Sequence, residues 1–386
     1  VLQDAQAFGD PTVEASIDRS LARTRLEELR VLEDGHGGHV GLLLARTRRV
    51  FWGGRPVPAG QVSGLSVGAE HRGRGAGGEL LRAYLAEAHD RSATICTLFP
   101  ATVHLYRRAG FEYAGTWTLY EAAARHLPAA WPEGYRAVPF LPSDDPAPLM
   151  ERFARTLPGR SGQIERDADV WRDAILRERD SGPPQAYLVD GPGGPDGWVV
   201  LKVDEHASSR EVATSVDVID WGAVSPGGWR SLLTLAAGFS SLDATVVWKG
   251  PEVEPLALLL REQDLRQVRQ ARFMARVLDV PGAFAARGYP EAARGRLTLQ
   301  VVDDVCPWVA GTWTVEVEGG EGKAARVASQ AGAARSDACG LAALFAGYVD
   351  PARLVELGLV TGLAAGDVAF LQALHAGPTP WSADYY

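Results

Sequence analysis

Hydrophobic positions along this chain switch between a period of two and a period near 3.6, and the switches mark its elements. Residues 26–32 and 39–46 read as strands, parted by the turn Asp34-Gly35-His36-Gly37-Gly38. Residues 50–52 and 55–57 flank Gly53-Gly54, a hairpin signal. A strand over 61–67 carries Gly64, which inside a strand marks a bulge or a close backbone approach. From Glu79 to Ala88 the period changes, and Leu80, Leu81, Tyr84, Leu85 and Ala88 share one face of a helix. A buried strand is expected over 93–98, and a helix near the start of the chain over 13–23.

Further along, 147–156 reads as a helix and 212–221 as a strand. After Ser225-Pro226-Gly227-Gly228 comes an apolar helical run over 229–239, then a strand over 244–248. The order strand, glycine turn, helix, strand thus occurs twice. A helix is expected over 281–287. Leu297, Leu299 and Val301, and then Trp313, Val315 and Val317, alternate with polar positions as half-buried strands do. Leu341, Leu344, Phe345 and Tyr348 suggest one apolar helix face, and Asp350-Pro351 opens another helix that stops at Gly358. At 386 residues the chain is too long for one ordinary core. The pattern divides it into three domains, at 1–130, 131–285 and 286–386. The expected class is α/β with α+β character: two related folds, the second degenerate, then a smaller α+β layer.

The connection after the strand over 61–67 holds the most chemistry. It runs Gly68-Ala69-Glu70-His71-Arg72-Gly73-Arg74-Gly75-Ala76-Gly77-Gly78 and opens the amphipathic helix. Several glycines together carry a large entropic cost, but they let backbone N–H groups close around an anion at a helix N-terminus. Arg72 and Arg74 add positive charge there. One reading is a pyrophosphate cradle; the other is a glycine-rich surface connection. It is not a P-loop, because no Gly-Lys-Ser/Thr follows. Nor is it the Rossmann fingerprint: Asp90, at about the right distance, ends the helix rather than a second strand.

Composition narrows the classes. An apolar content of 46% and a charged content of 23% are those of a globular protein. No apolar run is long enough for a membrane span, and the first residues lack the pattern of a signal peptide. The three cysteines, Cys96, Cys306 and Cys339, are far apart, which fits a reduced, cytoplasmic setting. Eight histidines show no metal-ligand spacing, so no metal is expected. A net charge of −9 argues against nucleic acid and is compatible with a cationic substrate, or with solubility alone.

Arg72-x-x-Gly75-x-Gly77 between strand and helix resembles the acetyl-CoA motif of the GNAT acetyltransferases. Tyr106-Arg107-Arg108-Ala109-Gly110-Phe111 resembles the Tyr-x-x-x-Gly-Phe end of the same core. The second strand–turn–helix–strand lacks the arginine and the Gly-x-Gly and reads as a decayed copy without a cofactor. The last segment is similar to a sterol-carrier-protein-like domain, on Cys306-Pro307-Trp308, Gly311-Thr312-Trp313 and the tail Pro380-Trp381-Ser382-Ala383-Asp384-Tyr385-Tyr386. In that order the three parts resemble the Eis (enhanced intracellular survival) acetyltransferases.

The resemblance implies an acetyl-CoA-dependent N-acetyltransferase acting on small cationic amines, aminoglycosides among them, and assembled as a hexamer. It implies that Leu65 and Val67 pair through their backbone with the pantetheine, and that Arg72, Gly73, Arg74, Gly75, Ala76 and Gly77 hold the pyrophosphate. It makes Tyr106 the general acid and the α-carboxylate of Tyr386 the base. Gly64 stands where some members carry a bulky aromatic. From the residues alone, Tyr106 either donates a proton or only packs. The aromatic tail either docks or frays, and Asp384 meets a cationic substrate or faces water. A peptide-lysine acetyltransferase and a lipid carrier are the alternative functions.

Overall fold

The computed structural model of the chain describes residues 25–178, 182–207 and 212–385; the helix expected over 13–23 and Tyr386 lie outside the described residues. A short 3-10 turn precedes β1 (Leu29–Glu33), and β2 (His39–Trp52) runs unbroken to the Gly53-Gly54 hairpin. The two stretches read separately at 39–46 and 50–52 are therefore one strand. It is followed by β3 (Arg55–Val67), α1 (Ala76–Asp90), β4 (Ile95–Leu98), α2 (Val103–Arg107) and β5 (Glu112–Ala123). Next come β6 (Arg136–Phe140), α3 (Ala147–Arg155), β7 (Gln185–Gly191), β8 (Gly194–Ala207), β9 (Val212–Ala223), α4 (Pro226–Ala237), β10 (Thr245–Gly250) and β11 (Arg266–Val277). The last third holds α5 (Val280–Ala286), β12 (Gly295–Val302), β13 (Gly311–Glu318), β14 (Glu321–Val327), β15 (Ala334–Asp337), α6 (Ala338–Ala346), α7 (Pro351–Glu356), β16 (Val360–Thr361) and α8 (Ala365–Leu374).

These elements form two compact units, one of residues 1–115, 272–380 and 385–386, the other of residues 116–271 and 381–384. In the first, β1 to β4 are neighbours in order, and the end of β11 pairs antiparallel with β4, Arg276 opposite Cys96. β3 and β4 run parallel, the crossover being α1, as a parallel pair requires. The α1 face read from the sequence is the buried one: Leu80, Leu81, Tyr84, Leu85 and Ala88. A second sheet, ordered β14-β13-β12-β15-β16, belongs to the same unit. The single apolar face expected near 341–348 is a correction. Every residue of α6 is buried, because the helix is apolar all round, and Gly347 ends it in the left-handed conformation before Tyr348.

In the second unit the order is β5-β10-β9-β8-β7-β6, with β9 and β10 parallel and α4 as their crossover. Its core gathers Val199, Leu201, Val216, Val218, Leu232, Leu233, Val246 and Trp248. The strands β7 and β8 are not expected from the sequence, since their alternation is broken by Gly191, Gly193, Gly194 and Gly197.

Candidate active site

The site is built where β3 leaves its parallel neighbour. Pairing between them covers Ala59↔Ile95 to Val62↔Leu98; beyond Val62, β3 continues to Val67 with β2 as its one strand partner among the described residues. A bulge sits at that point: Leu44 faces Gly64 and Ala45 faces Val62, so Ser63 is the extra residue beside the glycine singled out above. The strand carrying Leu65 and Val67 is thus open on its β4 side. The Val67 carbonyl accepts from Arg72 Nε at 3.1 Å, which anchors that arginine to the strand it follows.

At the other end of this edge, α1 begins on Gly75 with no side chain capping it. Gly73 and Gly75 hold φ of +76° and +90°, where a side chain would be strained. A Cβ placed at Gly73, Gly75 or Gly78 meets no atom within 4 Å, so the turn is open space, not packing. Neither Arg72 nor Arg74 has an acidic partner among the described residues. Free first-turn N–H groups and the positive end of a helix dipole meet at Gly75, and the turn that leads to it carries two arginines without an acidic partner among the described residues. That arrangement suits a pyrophosphate and is poorly explained as a plain surface turn.

Tyr106 lies on α2 and is 5% exposed. Its ring packs edge-on against Phe111 at 6.0 Å, and its hydroxyl makes no hydrogen bond to any described residue. Burial, with a smaller effect of the Cys96 thiol, pushes its pKa up to about 12, so the phenol keeps its proton. The turn behind it is tightly tied. The Tyr106 carbonyl accepts from the N–H groups of Ala109 (2.9 Å) and Phe111 (3.1 Å), and Arg107 grips Glu112 through two bonds of 2.9 and 2.8 Å.

The Acetyltransferase (GNAT) domain family matches residues 3–114, another GNAT domain family matches residues 162–277, and the Sterol carrier protein domain family matches residues 280–383. An uncharacterized N-acetyltransferase of Streptomyces avermitilis is 26% identical over 349 residues, covering 86% of this chain and 82% of that protein. The N-acetyltransferase Eis of Mycobacterium tuberculosis is 26% identical over 295 residues, 71% of this chain and 69% of that protein. A GCN5-related N-acetyltransferase from Anabaena variabilis has the same fold, with a TM-score of 0.90 at 25% identity, over 100% of this chain and 96% of that one. The chain is a GNAT N-acetyltransferase, similar to Eis. Two GNAT folds are followed by a sterol-carrier-like domain, and the GNAT fold implies an acyl-CoA co-substrate.

The second GNAT fold repeats the first down to its irregularities. β8 and β9 share a bulge, with Ile219 as the extra residue, and β9 pairs with β10 only over Ser215–Asp217. Here, though, the chain's own groups fill the equivalent places. Ser225 caps α4, accepting from Gly228 N–H at 3.0 Å, and donates to Asp196 Oδ2 at 2.5 Å. Asp196 Oδ1 also accepts from the N–H groups of Val224 and Ser225, at 3.3 Å each. A Cβ on Gly227 would overlap the Tyr135 ring. Lys249 Nζ donates to the Ile219 carbonyl at 3.1 Å, at the bulge itself.

The end of the chain is docked as far as the described residues go. Ser161 O accepts from Trp381 N–H (3.1 Å), Gln163 Nε2 donates to Trp381 O (2.8 Å), and Thr116 O accepts from Ser382 N–H (2.9 Å). Asp384 is neither free in water nor left open for a cation: Arg166 holds it at 3.2 Å, and the same guanidinium grips Asp220 at 2.8 and 3.1 Å. Arg166 stands over the rings of Phe153 and Trp171, at 4.3 and 5.3 Å. Burial works against its charge, yet the two carboxylates keep its pKa above the ordinary arginine value. Tyr385, in the first unit, stacks on Phe99 at 4.4 Å. The sequence reading passed over Arg166 and Phe99; an arginine between loops and a lone aromatic after a strand carry no local signal. Among the described residues no group of three or more His, Cys, Asp or Glu is placed to hold a metal, and no helix is long and apolar enough to cross a membrane.

Proposed function

We propose that this chain transfers the acetyl group of acetyl-CoA to an amine of a small cationic acceptor, aminoglycosides being one class to test. The open, uncapped glycine turn beside a strand edge that no β-strand among the described residues covers is the observation that carries this reading. In it, the N–H groups of Gly73, Gly75, Ala76 and Gly77, with Arg72 and Arg74, hold the pyrophosphate. The backbone of Leu65 and Val67 receives the pantetheine as an added strand. With the Val67 carbonyl held by Arg72, the Val67 N–H and the Leu65 peptide are the groups left for that pairing.

Tyr106 is the general acid in this reading. A phenol that stays protonated and has no hydrogen-bond partner among the described residues is suited to give its proton to a leaving thiolate. Tyr386 is proposed as the base, through an α-carboxylate, on the family resemblance alone; it lies outside the described residues. The division at about residues 130 and 285 and assembly as a hexamer belong to the same proposal, the latter checked by light scattering. The second GNAT fold is proposed to bind no acyl-CoA, because Asp196, Tyr135 and Lys249 take the places an anion and a pantetheine need.

The test is acetyl-CoA-dependent thiol release with a panel of aminoglycosides, simple polyamines and lysine peptides, together with calorimetric titration of acetyl-CoA. One site per chain and turnover with small amines are expected. Turnover with peptides alone would overturn the acceptor class. Two sites per chain would overturn the closed second fold. No acetyl-CoA binding would overturn the cradle.

A further inference from the structure

We propose that Arg276 and Asp303 are positioning residues for Tyr106, and that the sterol-carrier-like domain, through Asp303, helps to hold this tyrosine from behind. The inference rests on the reading of Tyr106 as general acid. Arg276 is fully buried on β11, and one of its terminal nitrogens meets Asp303 Oδ2 at 2.5 Å. Its other terminal nitrogen donates to the carbonyl of Ala109, three residues after Tyr106. The turn has no slack at that place: a Cβ on Gly110 would overlap the Arg276 guanidinium and lie 2.6 Å from Ala338 Cβ. Asp303 is itself fixed, since its Oδ1 accepts from the N–H groups of Val305 (3.0 Å) and Cys306 (2.9 Å).

A second hold comes from α6. Cys339 Sγ lies 3.3 Å from the carbonyl of Arg107 and 3.4 Å from that of Phe111. The carbonyl of residue 109 is thus held by Arg276 and those of 107 and 111 share the single Cys339 S–H, while that of Tyr106 is closed by its own turn. Asp303 and Cys339 both fall within the stretch matched by the Sterol carrier protein domain family.

A buried ion pair adds little net stability over an apolar pair of similar shape, so stability alone does not account for it. Direction does. The pair aims one guanidinium nitrogen at a single main-chain oxygen, and a proton donor must keep hydrogen-bond reach to the atom it serves. Misplacement by about 1 Å is enough to cost about a hundredfold in rate.

Removing one member alone would strand a buried charge, so the informative variant is Arg276→Met with Asp303→Asn. The amide side chain introduced by the second change keeps an oxygen for Val305 and Cys306, and no buried charge remains. We expect kcat to fall about tenfold or more with the KM for acetyl-CoA unchanged, a partial form of the displacement penalty. In a Tyr106→Phe background the same pair of changes should lower kcat less than twofold, because the group being positioned is gone. Equal losses in both backgrounds, or no loss in the native one, would overturn the proposal. Tyr106→Phe on its own reports on the general acid: if kcat survives it, that reading fails, whatever the paired variant does. Should the paired variant not fold, Cys339→Ala, which removes two contacts and no charge, is held to the same outcomes.

Discussion

Arg166 and Asp384 meet at 3.2 Å in the interior of one unit although 218 positions separate them. The contact fixes the chain two residues before Tyr386. Asp384→Asn leaves Arg166 with Asp220 still in place, so the expected cost is that of one charged hydrogen bond, about 2 kcal/mol. Urea unfolding should show it as a lower midpoint with an unchanged slope. Limited proteolysis should cut the variant near its C-terminus before the native chain. Unchanged stability together with unchanged protection would mean that the pair does not anchor the tail.

The two arginines at the glycine turn give the second prediction. Neither Arg72, bonded only to the Val67 carbonyl, nor Arg74 has an acidic partner among the described residues, so both charges are left for an anion. Replacing both by alanine should weaken acetyl-CoA binding about tenfold, equivalent to about 1.4 kcal/mol. Because exposed charges are screened, native binding should weaken with added salt and the variant should respond less. Calorimetry at two ionic strengths measures both.

Tyr106→Phe removes a hydroxyl that no described residue holds, so the fold should be almost unaffected. Its effect should fall on kcat, by about a hundredfold, within the range of general-acid catalysis. Acetyl-CoA affinity should stay within twofold. Loss of affinity in place of turnover would make Tyr106 a packing residue.

Adding a few residues after Tyr386 should abolish turnover while leaving acetyl-CoA binding intact, if its α-carboxylate is the base. Equal turnover in the extended and native chains would remove that role.

Glu254 predicts a pH dependence of stability. Its carboxyl is buried, accepting from Leu256 N–H at 2.9 Å and Trp248 Nε1 at 3.2 Å. Burial outweighs these bonds and raises its pKa from 4.5 to about 7. The folded state therefore holds this proton more tightly than the unfolded chain does. The contribution is fully present below pH 4.5 and is lost as pH rises to about 7, by about 3 kcal/mol at most. Glu254→Gln should flatten the slope between about pH 5 and 7.5 in thermal or urea unfolding; a slope left as steep in the variant would assign it to other groups.

The sequence by itself determined the local grammar of this protein. The α1 stripe was legible because helical periodicity is written in adjacent residues. So were the hairpin at Gly53-Gly54, the irregularity at Gly64 and the open glycine turn, since special backbone conformations select special residues. The repeat of strand, turn, helix and strand was visible for the same reason. Tertiary structure alone decided what those pieces face. It seated Asp196 and Lys249 in the places that stay open in the first fold. It also joined Asp384 to Arg166, and brought Arg276, Asp303 and Cys339 up to the turn behind Tyr106. Burial of charge and long-range pairing depend on which distant surfaces meet, and no short window of sequence records that.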